Sequence, residues 1–301
     1  EMKNAAVNAL QNEKFVMGES VYKFEEEFAK YTGTKLAVSV NSGNAALHLS
    51  LLALGINNKS SVITSTNSFI ASANCILMTG AKPILCDIKP EDGNIDISST
   101  DEKANAIIPV HIYGNPCDFD SIRRMSEESK IPIIEDACQA HGAKYFGKKV
   151  GSLGDVGCFS FYPTKNMTVG GDGGMITTNN EEIQNEVISL RDNGRESHTT
   201  HDKLGFTMRL NTVNAAIGRI QLRHLDERNI KRRKIAELYK KHLSEDYFLT
   251  ENPDGSSVFH QIIFRHKNRD EIMEHLSKNG IGTAIYYRTP IHKQPLYSYL
   301  N

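Results

Sequence analysis

The chain is expected to be an α/β protein with a mostly parallel central sheet between helices, followed by a smaller C-terminal α+β unit. Three observations predict this. Short apolar segments recur along the first two thirds, helical patterns separate them, and near residue 225 the character changes to a long basic helix. Apolar strands linked by helices belong to parallel sheets covered on both faces. The change divides residues 1–225, a large α/β domain, from residues 226–301, a small α+β domain.

The elements follow in order. EMKNAAVNALQNEKF reads as the middle of an amphipathic helix, and the chain lacks an initiator methionine, so it is expected to begin inside a longer native chain. LAVSV is a strand. GNAALHLSLLALG is a helix whose Ala46, Leu47, Leu49, Leu51, Leu52 and Leu54 cover much of its surface, and Gly55 stops it. SVITS (61–65) and AKPILCDI (81–88) are strands around a helical stretch near 69–79. AIIPVHIYG (106–114) is a buried strand running into a loop, DSIRRMSEESK (120–130) an amphipathic helix, and IPIIED (131–136) another apolar strand. DVGCFSFY (155–162) and GMITTN (174–179) complete the sheet. Beyond RNIKRRKIAELYKKHLSE, the segments VFHQIIFRH (258–266), RDEIMEHLSKNG and IGTAIYY (281–287) read as strand, helix and strand.

The bulk properties exclude several function classes. With 301 residues there is room for one large core and a second unit. A formal net charge of -1 gives no global field for nucleic acid or an anionic membrane. No apolar run approaches the roughly 18 residues that span a bilayer. The start also lacks the charged-then-apolar pattern of a signal peptide. Cys75, Cys86, Cys117, Cys138 and Cys158 form no Cys-x-x-Cys pair, so reduced, buried thiols in a cytoplasmic protein are expected. No metal site is expected.

Ligands of an open parallel sheet bind beyond the carboxyl ends of the strands, and three polar groups cluster there. Asn41-Ser42-Gly43-Asn44 joins a strand to a helix start, where free N–H groups and a positive dipole end suit a phosphate. Glu135-Asp136 ends an apolar strand, and a carboxylate there can keep the pyridine nitrogen of pyridoxal phosphate (PLP) protonated. Lys165 follows a strand end on a loop with Pro163, five residues after the hydroxyl of Ser160, which can anchor a phosphate near a Schiff-base lysine. Each has an ordinary structural reading by itself: a capped turn, a solvated acidic pair, a surface lysine. In this order, each at a strand end, they fit one cofactor. The glycine run 170–174 lacks the strand–helix spacing of the dinucleotide fingerprint.

With these motifs the sequence resembles the DegT/DnrJ/EryC1/StrS family of PLP-dependent sugar aminotransferases. The resemblance runs from Phe24-Glu25-Glu26-Glu27-Phe28 to His292. It is carried by NSGNAALHLSLLALG, PVHIYGNPCDFDSI, IPIIEDACQAHGAKYFGKKVGSLGDVGCFSFYPTKN, GGDGGMITTN and AAIGRIQLRHLDERNIKRR.

The resemblance implies fold type I, a homodimer with shared active sites, and transfer of an amino group from an amino acid such as L-glutamate to a nucleotide-linked keto-sugar. Lys165 would anchor the cofactor and then shuttle the proton. Asp136 would pair with the pyridine nitrogen, and Gln139 would contact the ring oxygen or its face. Ser160, with Ser42, Gly43 and Asn44, would hold the phosphate. Phe69 would stack on the ring, its alternative being a plain core residue. Arg209 or Thr207 would reach the cofactor phosphate of the partner subunit. Tyr286, where the family usually has histidine, and His292 would face the substrate. The family commonly has Thr at the position of Asn44 and Asn at that of Thr207, and it extends some dozens of residues beyond this C-terminus. Its other members include sugar dehydratases, which carry histidine in place of the lysine; a non-catalytic regulatory relative is the remaining alternative.

Overall fold

The computed structural model describes residues 1–197 and 199–300. Helices α1 (Met2–Asn12) and α2 (Glu19–Thr32) lead to strand β1 (Leu36–Val40), helix α3 (Gly43–Ala53) and strand β2 (Ser61–Ser65). Then come α4 (Ala71–Met78), β3 (Lys82–Cys86), β4 (Ala106–Ile108), α5 (Phe119–Ser129) and β5 (Ile134–Asp136). A small hairpin, β6 (Lys144–Tyr145) and β7 (Lys148–Lys149), precedes β8 (Val156–Ser160) and β9 (Gly174–Thr178). Helices α6 (Glu181–Arg191), α7 (Thr212–Arg223) and α8 (Leu225–His242), the short strand β10 (Gly255–Ser256) and helix α9 (Arg269–Lys278) complete the order.

Two ladders, β1-β9-β8-β5 and β3-β2-β4, form the central sheet. Parallel bridges Ile107–Ile133 and Val110–Asp136 join β4 to β5, so seven strands run in the order β1-β9-β8-β5-β4-β2-β3. β9 is antiparallel to both of its neighbours, and every other pairing is parallel. The α/β reading of the sequence holds, with one reversed strand that periodicity cannot reveal.

Strand alternation sends side chains to opposite faces. Val156 and Cys158 enter one core with Leu47, Leu49 and Leu51 of α3 and Val187 of α6. Phe159 and Phe161 enter the other, with Phe24 and Phe28 of α2 and Ala215 of α7. There the rings of Phe28 and Phe159 meet edge-on at 5.0 Å. Both faces are thus covered, as the continuous apolar strands require. Cys75, Cys86, Cys117 and Cys158 are buried free thiols, and Cys138 is half-buried. No helix among the described residues is long and apolar enough to cross a membrane.

The two strands expected at 258–266 and 281–287 are not formed. The first makes a single bridge, Phe248–Phe264, and the second forms no ladder, with a turn at 286–287. Instead, the Val258 and Gln261 N–H groups donate to the carbonyls of Gly114 and Tyr113. Apolar residues stabilise a strand only when a neighbouring strand takes up the backbone groups. Here a loop of the sheet's carboxyl edge takes them, and β10 pairs with β6 of the hairpin.

Candidate active site

The registers set the geometry. Gly174 lies opposite both Val40 and Ser160, and Cys158 lies opposite Asp136, so the carboxyl ends of β1, β8 and β5 share one edge. Helix α3 begins there, with Ser42 as N-cap accepting from the Ala45 N–H at 3.0 Å. The Ala46 N–H goes to the Ser42 carbonyl. The N–H groups of Gly43 and Asn44, leading the helix, have no intrahelical acceptor by construction. A Cβ on Gly43 would lie 2.6 Å from the Ser160 Cβ and 2.9 Å from the Cys138 Sγ. This corner of backbone donors and a strand-end hydroxyl, closed to any larger side chain, fits a phosphate.

Asp136 is buried at the end of β5. Its Oδ2 accepts from the Ser72 hydroxyl at 2.7 Å and its Oδ1 from the Cys138 N–H at 3.2 Å. Ser72 is in turn 2.8 Å from the Ser68 hydroxyl. Gln139, also buried, is held at both ends of its amide: Oε1 accepts from the Tyr113 N–H at 2.8 Å, and Nε2 donates to the Tyr287 hydroxyl at 3.0 Å. Tyr113 has φ 58, a left-handed backbone that turns its N–H to this amide, and its hydroxyl donates to the Tyr286 carbonyl at 2.6 Å. Burial pushes the Tyr287 phenol up, so its proton stays available for donation.

Lys165 is half-buried on the loop after β8, with its N–H donating to the Tyr162 carbonyl at 2.8 Å. Two imidazoles feel its charge. Burial and then Lys165 push His141 down to about 3, and His260 is lowered to about 3 by burial, then Lys165, His141 and Arg232. Both therefore stay neutral near neutral pH.

The remaining expected residues divide. Phe69 is 57% exposed, which removes the reading as a core residue, and it shares a cleft with Asn44, Met78 and Leu296. Arg209 forms an ion pair with Asp192 of its own chain, and Thr207 donates to the Asn193 side-chain oxygen at 3.0 Å. Tyr286 joins the network through its carbonyl rather than its ring, which is 43% exposed. His292 lies in a short helical turn tied to Thr66 by the Ile291 N–H, 2.9 Å away.

Sequence reasoning missed Ser72, Tyr113, Tyr287 and His260. Ser72 could have been suspected, since its hydroxyl opens the helix expected near 69–79, directly after the Phe69 segment. The others join segments far apart in the chain.

A helix start, a carboxylate and a lysine gathered on the carboxyl edge of one α/β sheet are a layout that suits pyridoxal phosphate. The chain belongs to the DegT/DnrJ/EryC1/StrS aminotransferase family, whose sequence profile matches residues 1–301. It is 39% identical over 300 residues to the pleiotropic regulatory protein of Geobacillus stearothermophilus, covering 97% of this chain and 81% of that one. It is 36% identical over 301 residues to the dTDP-3-amino-3,4,6-trideoxy-alpha-D-glucose transaminase of Streptomyces venezuelae, covering 98% and 79%. The crystal structure of S. venezuelae DesV in complex with a ketimine intermediate superposes with a TM-score of 0.95 at 35% identity, covering 99% of this chain and 82% of that one.

Proposed function

We propose that the protein is a PLP-dependent aminotransferase that transfers an amino group from an amino acid, L-glutamate being the expected donor, to a keto group of a nucleotide-linked sugar. The observation that carries this reading is the meeting of Gly43, Ser160, Asp136 and the Lys165 loop at one sheet edge. The S. venezuelae transaminase, similar over nearly the whole chain, supports the substrate class.

When bound, PLP supplies an electron sink for the carbon that loses its proton. The chain's own residues do the rest. Ser160 and the leading N–H groups of Gly43 and Asn44 bind the phosphate, and Phe69 covers the ring. Asp136, oriented by Ser72 and the Cys138 N–H, keeps the pyridine nitrogen protonated. Gln139, its amide fixed at both ends, orients the ring. Lys165 would tether the cofactor, and its freed Nζ would move the proton between the donor carbon and the carbon of the cofactor. His292 and Tyr286 face the sugar. The reading includes a homodimer in the cytoplasm, with Arg209, braced by Asp192, or Thr207 reaching the phosphate held by the partner subunit.

A regulatory role is the second reading, favoured by the name of the G. stearothermophilus relative. One experiment separates the two. The purified protein is loaded with PLP, its visible band is recorded, and borohydride reduction and peptide mapping locate the adduct. Glutamate should then convert the band, and a panel of 3-keto and 4-keto nucleotide-sugars should yield a product of amino-sugar mass. A band at Lys165 that no amino donor alters would support the regulatory reading.

A further inference from the structure

We infer that His260 is a positioning residue for Lys165: its Nδ1–H donates to the side-chain oxygen of Asn166 and fixes the loop that carries the lysine. The inference rests on the proposed role of Lys165 as the cofactor's anchor.

The direction of this hydrogen bond follows from its neighbours. Asn166 Nδ2 donates to Asn229 Oδ1 at 3.0 Å and to the Val258 carbonyl at 3.1 Å, so both of its hydrogens are used. Asn229 is itself oriented, because its Nδ2 donates to the His141 carbonyl at 2.8 Å. The Asn166 oxygen therefore faces His260 Nδ1, 3.2 Å away, as an acceptor. Nδ1 must carry the proton. Since burial and the charges of Lys165 and Arg232 keep the imidazole neutral, Nε2 is left bare.

His260 is held in position by its own backbone. Arg232 Nη1 donates to the carbonyls of Phe259 and His260, each at 3.1 Å, and the Val258 N–H donates to the Gly114 carbonyl at 3.0 Å. A Cβ on Gly114, where φ is +91, would come 2.9 Å from the His260 nitrogen, so only glycine permits this approach. Phe259, at φ 45, completes the turn. A segment nearly a hundred residues beyond the lysine loop is thus laid over the site's edge, with its histidine donor aimed at the residue next to Lys165.

The test uses two substitutions of similar polarity. His260→Asn presents an amide N–H near the former Nδ1, whereas His260→Gln moves it toward the former Nε2. The readout is the PLP concentration that gives half-maximal borohydride-trapped adduct on Lys165, with thermal midpoints recorded for each protein. His260→Asn should stay within about twofold of wild type, and His260→Gln should need about tenfold more PLP, the scale of one lost hydrogen bond. Equal behaviour of His260→Gln and wild type at matching midpoints overturns the inference. Independently of any variant's folding, the ¹⁵N spectrum of the wild-type imidazole must show the Nδ1–H tautomer; a protonated Nε2 with bare Nδ1 also overturns it. A wild type that forms no adduct at Lys165 overturns the cofactor reading and this role with it, while the tautomer reports on the hydrogen bond separately.

Discussion

Gly43 and Ser160 approach so closely that a Cβ on the glycine would sit 2.6 Å from the serine Cβ. The helix start and the strand end are pressed together, and the space they leave is the proposed phosphate corner. Gly43→Ala must push α3 off the edge of β8. Overpacking of this kind costs about 1–3 kcal/mol, and the displaced N–H groups should weaken PLP binding by about tenfold or more. Urea unfolding and a PLP titration by absorbance measure the two effects. Wild-type PLP affinity in a destabilised Gly43→Ala protein would detach this corner from the phosphate.

Asp136 is buried and hydrogen-bonded by Ser72. Asp136→Asn keeps the shape and removes the charge, a loss of about 1.5–3 kcal/mol, or roughly ten- to a hundredfold in kcat. Ser72→Ala removes only the orienting hydroxyl and should cost less. Cofactor affinity should fall less than turnover in both, because the phosphate contacts remain. Full turnover in Asp136→Asn would move the role to another carboxylate.

Glu135, next to Asp136, is a structural group. Its Oε1 accepts from the Leu153 and Gly154 N–H groups at 2.7 Å each, and its Oε2 from the Gly151 N–H at 2.7 Å and His111 Nε2 at 3.0 Å. The Cys117 N–H donates to His111 Nδ1, so the His111 proton is on Nε2. Glu135→Gln turns an amide N–H₂ against two donors whichever way it faces. It should lose about 1–3 kcal/mol in urea unfolding, and an unchanged midpoint would mean that this turn re-forms without the carboxylate.

Stability should fall in mild acid. His141 and His260 have folded-state values of about 3 against 6.5 for a free imidazole. Below pH 6.5 the unfolded chain takes up these protons and the folded one does not, so stability is lost as pH falls from about 6.5 toward 3. Each histidine contributes up to about 1.4 kcal/mol per pH unit in that window. His141→Asn should make the stability curve between pH 6 and 5 shallower by about one proton; an unaltered slope would show that His141 is protonated in the folded protein.

Arg209 provides the test of a shared site. Mixing inactive Lys165→Ala and Arg209→Ala homodimers under subunit exchange should restore activity, because one site of each heterodimer then carries neither lesion. Recovery tending to one intact site per dimer is expected. No recovery would confine Arg209 to its ion pair with Asp192 or to a role within its own subunit.

Much of the fold was legible in the sequence because its signals are local. Gly55, at φ 76, lies just past the end of α3 as expected. The apolar runs at 61–65, 134–136 and 156–160 are strands. Failure came at 258–266 and 281–287, where apolar residues were present but no strand lay beside them. Periodicity reports what a segment can bury, not which neighbour receives its backbone groups.

By itself, the sequence determined the order of Ser42, Asp136, Ser160 and Lys165, each at a strand end, because an alternating pattern and its breakers suffice to locate a strand's carboxyl terminus. Only the tertiary structure decided which groups orient them. Ser72 bonds to Asp136 across 64 residues, Gln139 to Tyr287 across 148, and Asn166 to His260 across 94. Helical and strand periods relate residues only a few positions apart. Contacts at these separations depend on how sheet register and loop packing bring distant segments together, and the buried polar atoms at each end must then find one another or remain unsatisfied.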